Sequence, residues 1–420
     1  MDRMLESDEA ARRLGIKVST LYAYVSRGLV TSYPSATGRR RVFDGDEVEQ
    51  VARRSRQGRT GGTRLATVTT VTTQLTDRGP VYRGLLATDL ATRWRFEEVA
   101  AWLWREGGDL PPAGPDAVPS PTRVEPPWTG AELGHPPAVG TSDRMRWAVL
   151  MAGALDPLRS DLRPEAVTRA ARRVVASMVA LVAAPPAGPA PAAPPAPPAR
   201  PAGLDLAGSL AERVASALAP RPTADVVGAV NAAMVLLADH ELATSTMAVR
   251  IAASTRADIY DALLSGLGTI AGPLHGGASQ LAASLLTDAE RDGPERALDE
   301  TLRWQGTLPG FGHPVYRNGD ARCTVLLELV ERTATPAQAA LVRSLIDLAA
   351  DHAIPPPNVD LALAALAWCA GMPADTGRTL FTLARVAGWV AHYLEELGER
   401  PLRYRARAVY ASPGRPTLGA

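Results

Sequence analysis

Cysteine is scarce: Cys323 and Cys369 are the only two in 420 residues. A disulfide framework and a cysteine-based zinc site are therefore excluded, and the two read as small buried side chains in a reducing compartment. No run of about 18 residues is apolar and free of both charge and proline, so no membrane span is expected. The opening MDRMLESDEAARR is too charged for a signal peptide. Net charge is nearly absent at +1, which removes a whole-chain argument for nucleic acid or an anionic membrane. Together these absences describe a soluble cytoplasmic protein. Val-rich alternating runs are also missing from the C-terminal half, which points to a mainly α main domain with long helices. What is present is apolar mass. At 46% hydrophobic residues, the chain can bury a large core and form more than one domain.

Charge is unevenly placed. Residues 1–60 hold 12 Lys and Arg against 8 Asp and Glu, so the remainder is slightly acidic. Within this basic stretch SDEAARRLG reads as a helix with Ser7 as N-cap and Gly15 as its stop. VSTLYAYVSRGLV repeats the device with Ser19 and Gly28. TSYPSATGRRRVF reads as a hairpin or wing with Gly38 at its tip, and DGDEVEQVARRSR as a third helix entered through Asp44 or Asp46. Residues 1–56 thus form a helix-turn-helix unit with a wing, and TLYAYVSRGLV resembles the MerR-like family. QGRTGGTR, residues 57–64, is a linker by composition. A Thr/Val-rich strand-like stretch and VYRG follow, then helical patterns at DLATRWRFEEVAAWLWREG, 142–154 and 164–182. Residues 184–203 are low-complexity Ala/Pro, read as an extended, disordered insertion of polyproline type. From there to about residue 400 the pattern is helical.

Five of the six histidines lie between 240 and 392. AGPLHGGAS holds His275 among small residues, and GFGHPVYRNGDAR boxes His313 between Gly312 and Pro314 ahead of Arg322. Such loops let backbone approach a ligand closely. In PPPNVD the prolines stop one helix and place Asp360 near the N-terminus of the next, where the dipole favours a carboxylate. Two glycine-flanked histidines and a carboxylate suit proton abstraction with donation to a developing enolate. Several arginines suit a substrate with two or three carboxylates. Other residues carry plainer expectations. His392 reads as a core histidine on an apolar helix face, His352 as surface, and His135 as incidental. Arg250 and Arg317 read either as phosphate or CoA contacts or as solvated arginines, and Trp102 and Trp104 as core or interface.

GPLHGG, GFGHxVY with DxR, PNVD, ARxxGWxAHxxE and RxRxxY stand in the order and at spacings comparable to the citrate synthase family, which the chain resembles from about residue 65 to 412. The resemblance implies a mainly α fold: a large domain from 65–277 and 373–420, and a small domain from 278–372 that closes over the substrates. It implies Asp360 as the base that takes the α-proton of an acyl-CoA. His275 would be the donor to the thioester oxygen, and His313 the group that polarises the keto group of the oxo acid. His240, Arg322 and Arg385 match oxaloacetate ligands, and Arg405 the arginine that reaches the active site of the partner in a homodimer. Acyl-CoA is a co-substrate, and neither a permanent cofactor nor a metal is implied. Departures from the family pattern lie at Ala243, Ala321, Ala406 and Leu361-Ala362-Leu363, the last beside the expected base. Acetyl-CoA giving citrate and propionyl-CoA giving 2-methylcitrate are both open. So is a second function: a DNA-binding regulator, through residues 1–56, that uses the fold as a metabolite sensor.

Overall fold

Local caps set most element borders. The computed structural model describes residues 4–14, 18, 21, 25, 30–34, 41–45, 48, 68–104, 133, 140–183 and 208–405. The 57–64 linker, the Ala/Pro segment 184–203, Gly38 and His135 lie outside the described residues. Two compact units divide between Val68 and Thr69.

In the first unit, β1 (Met4–Glu6) leads into α1 (Ser7–Leu14), and β2 (Ser32–Pro34) pairs antiparallel with β3 (Arg41–Asp44). The β2–β3 pair is the hairpin read from the sequence. β1 adds to the other side of β3, with Leu5 opposite Phe43, a strand the sequence reading did not include. Ser7 is therefore the first helical residue and follows directly from a strand. Leu5, Leu14, Leu21, Val30, Phe43 and Val48 close a core of the unit's own.

The second unit opens with an antiparallel meander: β4 (Thr73–Thr76), β5 (Gly79–Tyr82) and β6 (Leu85–Leu86). Two short helices follow, α2 (Ala87–Ala91) and α3 (Phe96–Leu103). Next come α4 (Thr141–Leu155), α5 (Pro164–Ala183), α6 (Leu210–Leu218) and α7 (Ala224–Leu237). Thr223 caps α7 by accepting from the Val226 N–H at 3.3 Å. The series continues with α8 (Thr244–Ser254), α9 (Ile259–Ile270), the single turn α10 (Pro273–Gly276), α11 (Ala278–Asp292) and α12 (Pro294–Gln305). It ends with α13 (Ala321–Glu331), α14 (Pro336–Asp351), α15 (Val359–Cys369) and α16 (Thr376–Leu397). Among the described residues no helix is long and apolar enough to cross a membrane.

The core centres on α7 and α16. α7 is apolar on nearly every face, so it is buried on nearly every face. Its C-terminal end meets α16 at Gly388, whose N–H donates to the Ala238 carbonyl at 2.9 Å. A Cβ at Gly388 would stand 2.7 Å from that carbonyl oxygen and 2.2 Å from Asp239 Oδ1. Only glycine lets the helices approach this closely. Gly388→Ala is expected to cost about 1–3 kcal/mol through overpacking; a midpoint in urea equal to that of the wild type would refute it.

One sequence expectation is corrected here and a second is extended. Arg250 is not solvated: it has 0% exposure and pairs with Glu395 and Glu396. His392 is buried as expected, yet its neighbours are polar. Its Nε2 lies 3.1 Å from Asp239 Oδ2, and its Nδ1 3.0 Å from Arg250. An apolar helix face hid an ionic seam, because its partners come from α8 and from the end of α7. Trp104 is core, its indole N–H donating to the Ala387 carbonyl at 2.9 Å. Trp102 packs part-buried against the same core, and His352 is exposed. Cys323 is buried and Cys369 half-buried.

Candidate active site

The His313 loop and the start of α15 are stitched together. Gly310 and Gly312 take φ of +83° and +73°, which side-chain-bearing residues avoid. A Cβ at Gly310 would stand 2.9 Å from Leu361 Cβ, so the loop lies directly on the helix. Three hydrogen bonds join the segments. The Gly312 N–H donates to Pro356 O at 2.8 Å, the Asn358 N–H donates to Gly310 O at 2.8 Å, and the Asn358 amide donates to Gly312 O at 2.6 Å. Asn358 also caps α15 by accepting from the Asp360 N–H at 2.9 Å. His313 and Asp360 thus belong to one rigid piece.

The ring of His313 has a defined tautomer. Its Nδ1 accepts from the N–H groups of Val315 at 3.1 Å and Tyr316 at 3.3 Å. The proton of the neutral ring therefore sits on Nε2, where it can be donated outward. Burial lowers the His313 pKa, and the Arg322 charge lowers it further. A neutral donor results.

Around His313 stand His240, Tyr316, Arg322 and Arg385. Tyr316 stacks on His313 with centroids 4.7 Å apart, and its hydroxyl lies 3.0 Å from His240 Nε2. Arg322 is buried and lies 5.0 Å from the centre of the Tyr316 ring. Asp320 takes Arg322 in a two-pronged ion pair at 2.9 and 2.8 Å, and also accepts from the Val359 N–H at 3.0 Å. Arg385 is buried on α16, bonded to Leu237 O at 3.0 Å and 4.7 Å from the centre of the Phe381 ring. Burial, then the charges of Arg322 and Arg385, hold His240 neutral well below the usual histidine range. Of the two buried guanidiniums, Arg322 is ion-paired with Asp320, while Arg385 feels Asp239, which is itself paired with His392; the field left over suits an anion.

His275 sits on the one-turn α10, and its Nε2 lies 2.8 Å from Ser245 Oγ on α8. Burial lowers its pKa, with Arg385 adding to the effect. Asp360 shows the opposite displacement. Burial pushes its carboxyl up to about 6, with Arg322 pulling down and Asp320 pushing up. A carboxylate poised near neutrality is the form expected of a general base.

His240, His313, Arg322 and Arg385 are brought into one field, with Asp360 tied to them through Asn358. Arg405, the last described residue, is exposed. Among the described residues no group of three or more His, Cys, Asp and Glu could hold a metal ion. Sequence reasoning missed Tyr316, Asp320, Ser245 and Asp239. Of these, Asp320 and Tyr316 were legible in principle, since both lie inside the quoted GFGHPVYRNGDAR.

Residues 61–407 match the family described as "Citrate synthase, C-terminal domain", and residues 4–56 match "Helix-turn-helix domain". The chain is 31% identical over 275 residues to citrate synthase 2 of Bacillus subtilis (strain 168), covering 64% of this chain and 72% of that protein. It is 30% identical over 328 residues to 2-methylcitrate synthase of Mycobacterium tuberculosis (strain Erdman), covering 75% and 80%. A solved structure of citrate synthase from Thermoplasma acidophilum, in ternary complex with carboxymethyl coenzyme A and oxaloacetate, aligns with a TM-score of 0.65 at 24% identity. That alignment covers 85% of this chain and 97% of the other. Fold and relatives together define a transferase of the condensing type. The chain belongs to the citrate synthase family and is a citrate synthase-like enzyme with a helix-turn-helix domain at its N-terminus.

Proposed function

We propose that the enzyme condenses a short acyl-CoA, acetyl-CoA or propionyl-CoA, with oxaloacetate to give citrate or 2-methylcitrate and free CoA. Asp360 removes the α-proton. His275 donates to the thioester oxygen as charge builds there, and the enol carbon attacks the keto carbon while His313 Nε2–H donates to the keto oxygen. Water then cleaves the citryl-type thioester. His240, Arg322 and Arg385 hold the carboxylates, joined by Arg405 from a partner subunit. Neutral donors aimed at a developing oxyanion, in a site closed to water, account for the needed stabilisation. A small domain of about 278–372 closing on a large one of 65–277 and 373–420 would supply that closure.

One observation carries this reading: the Nε2–H tautomer of His313, fixed by two backbone N–H groups in a loop hydrogen-bonded to the start of the Asp360 helix. A scaffold that only sensed a metabolite would need the arginines, but neither the raised carboxyl nor the fixed donor. The deciding assay is thiol release from acetyl-CoA and from propionyl-CoA, each with oxaloacetate. Turnover with at least one is expected, and their kcat/KM ratio assigns the acyl group. Absence of turnover with both, together with salt-sensitive binding of a specific DNA duplex, would replace this reading with that of a regulator.

A further inference from the structure

We propose that Tyr316 is a positioning residue that fixes the tautomer of His240, and through it the binding of the oxo acid. This rests on the reading of His240 as an oxo-acid ligand. The assignment of the proton does not.

The Tyr316 hydroxyl and His240 Nε2 are 3.0 Å apart, and Tyr316 is 4% exposed. Either atom could donate across that gap. A phenol O–H is the stronger acid and an imidazole nitrogen the stronger base, so the proton lies on oxygen and Nε2 accepts. Burial pushes the Tyr316 hydroxyl up to about 12, so it stays protonated at any working pH. His240 is held neutral, so its ring has a single N–H. With Nε2 accepting, that N–H is on Nδ1, beside the residue's own backbone carbonyl, and it is the donor His240 has left to turn to a ligand. His313 carries the opposite tautomer, because backbone N–H groups occupy its Nδ1. The two rings lie 5.5 Å apart at 71°.

Tyr316 is itself immobilised on three sides. It stacks on His313, it lies beneath the Arg322 guanidinium, and its N–H is spent on His313 Nδ1. Its hydroxyl is therefore aimed by the same loop that sets His313. One residue touches both histidines: its backbone, with that of Val315, sets the tautomer of one and its side chain that of the other.

Tyr316→Phe keeps the ring, and with it the stacking, and removes only the hydroxyl. Nitrogen-15 spectra of histidine side chains in the unliganded full-length protein should show His240 protonated on Nδ1 in wild type, its signals assigned by their loss in His240→Gln. Tyr316→Phe should move them toward the Nε2–H form. Calorimetry with oxaloacetate should show affinity falling about tenfold in Tyr316→Phe, as for one lost hydrogen bond. In the His240→Gln background the same substitution should have no further effect. A merely structural tyrosine would add its cost in both backgrounds. His240 protonated on Nε2 in wild type, unchanged His240 signals in Tyr316→Phe, or additive losses would each overturn the proposal. The expected tautomer change in a wild-type protein that binds no oxaloacetate would instead overturn the reading of His240 as a ligand.

Discussion

Asp360→Asn is expected to lower kcat by about 10³-fold and to stabilise the fold at the same time. The first effect follows from removing a general base, whose contribution is typically 10²–10⁴-fold. The second follows from its environment. Burial raises the Asp360 carboxyl to about 6, against about 3.9 in an unfolded chain. The folded state thus holds the proton more tightly, and stability is lost as pH rises from about 4 to about 6. At pH 8 the charge is fully present and unwelcome. Asparagine removes it while leaving the N–H that Asn358 accepts. The variant should be more stable than wild type by ~1–3 kcal/mol at pH 8, with the difference vanishing below about pH 4. Wild-type kcat/KM should rise through about pH 6 and level off above 7, because only the carboxylate abstracts a proton. Urea titrations at pH 4 and 8, read beside thiol release, test both effects. A variant less stable at pH 8 would show that burial does not raise the Asp360 carboxyl, and one that keeps a tenth of wild-type turnover would show that Asp360 is not the base.

Positions governed by local chemistry were legible in the sequence. The proline at 164 and the prolines before Asp360 place helix starts within a residue of where they occur, since proline acts on its neighbours alone. What could not be read depends on atoms far away in the chain. Tyr316 meets His240 across 76 residues, and His392 meets Asp239 across 153. Neither periodicity nor composition carries such pairings. β1 escaped for a different reason: three residues give too short an alternation to stand out, and the strand exists because β3 offers it an edge.

The misjudged Arg250 leads to the second large effect. Arg250→Ala is expected to destabilise the fold by ~1–3 kcal/mol, because it removes the buried cation that Glu395 and Glu396 share and leaves Glu396 to Arg403 and Tyr404. Arg250 and Glu396 both have 0% side-chain exposure and lie 2.9 Å apart. Glu396 also accepts from Arg403 at 2.7 and 2.6 Å and from the Tyr404 hydroxyl at 2.8 Å. Arg250 donates at the same time to Glu395, whose other oxygen takes the Val71 N–H at 2.9 Å. One guanidinium on α8 therefore ties down the start of the second unit, the end of α16 and the segment that leads to Arg405. Burial alone would raise the Glu395 carboxyl, yet nearby His392 and hydrogen bonds from Val71 and Arg250 hold it well below the usual range. Burial is likewise outweighed at Glu396 by Arg403, Tyr404 and Arg250. Both carboxyls are depressed on folding, so their contribution is present above about pH 4 and fades as pH falls. The gap between wild type and Arg250→Ala in urea midpoint should be widest at neutral pH and narrow toward pH 3. Arg250→Lys should recover only part of it, since an ammonium cannot reproduce the fork that reaches both carboxylates. Because Tyr404 directly precedes Arg405, the lysine variant should also raise the KM for the oxo acid more than that for the acyl-CoA. Equal midpoints for wild type and Arg250→Ala at pH 7 would mean that Arg403 and Tyr404 satisfy Glu396 without Arg250.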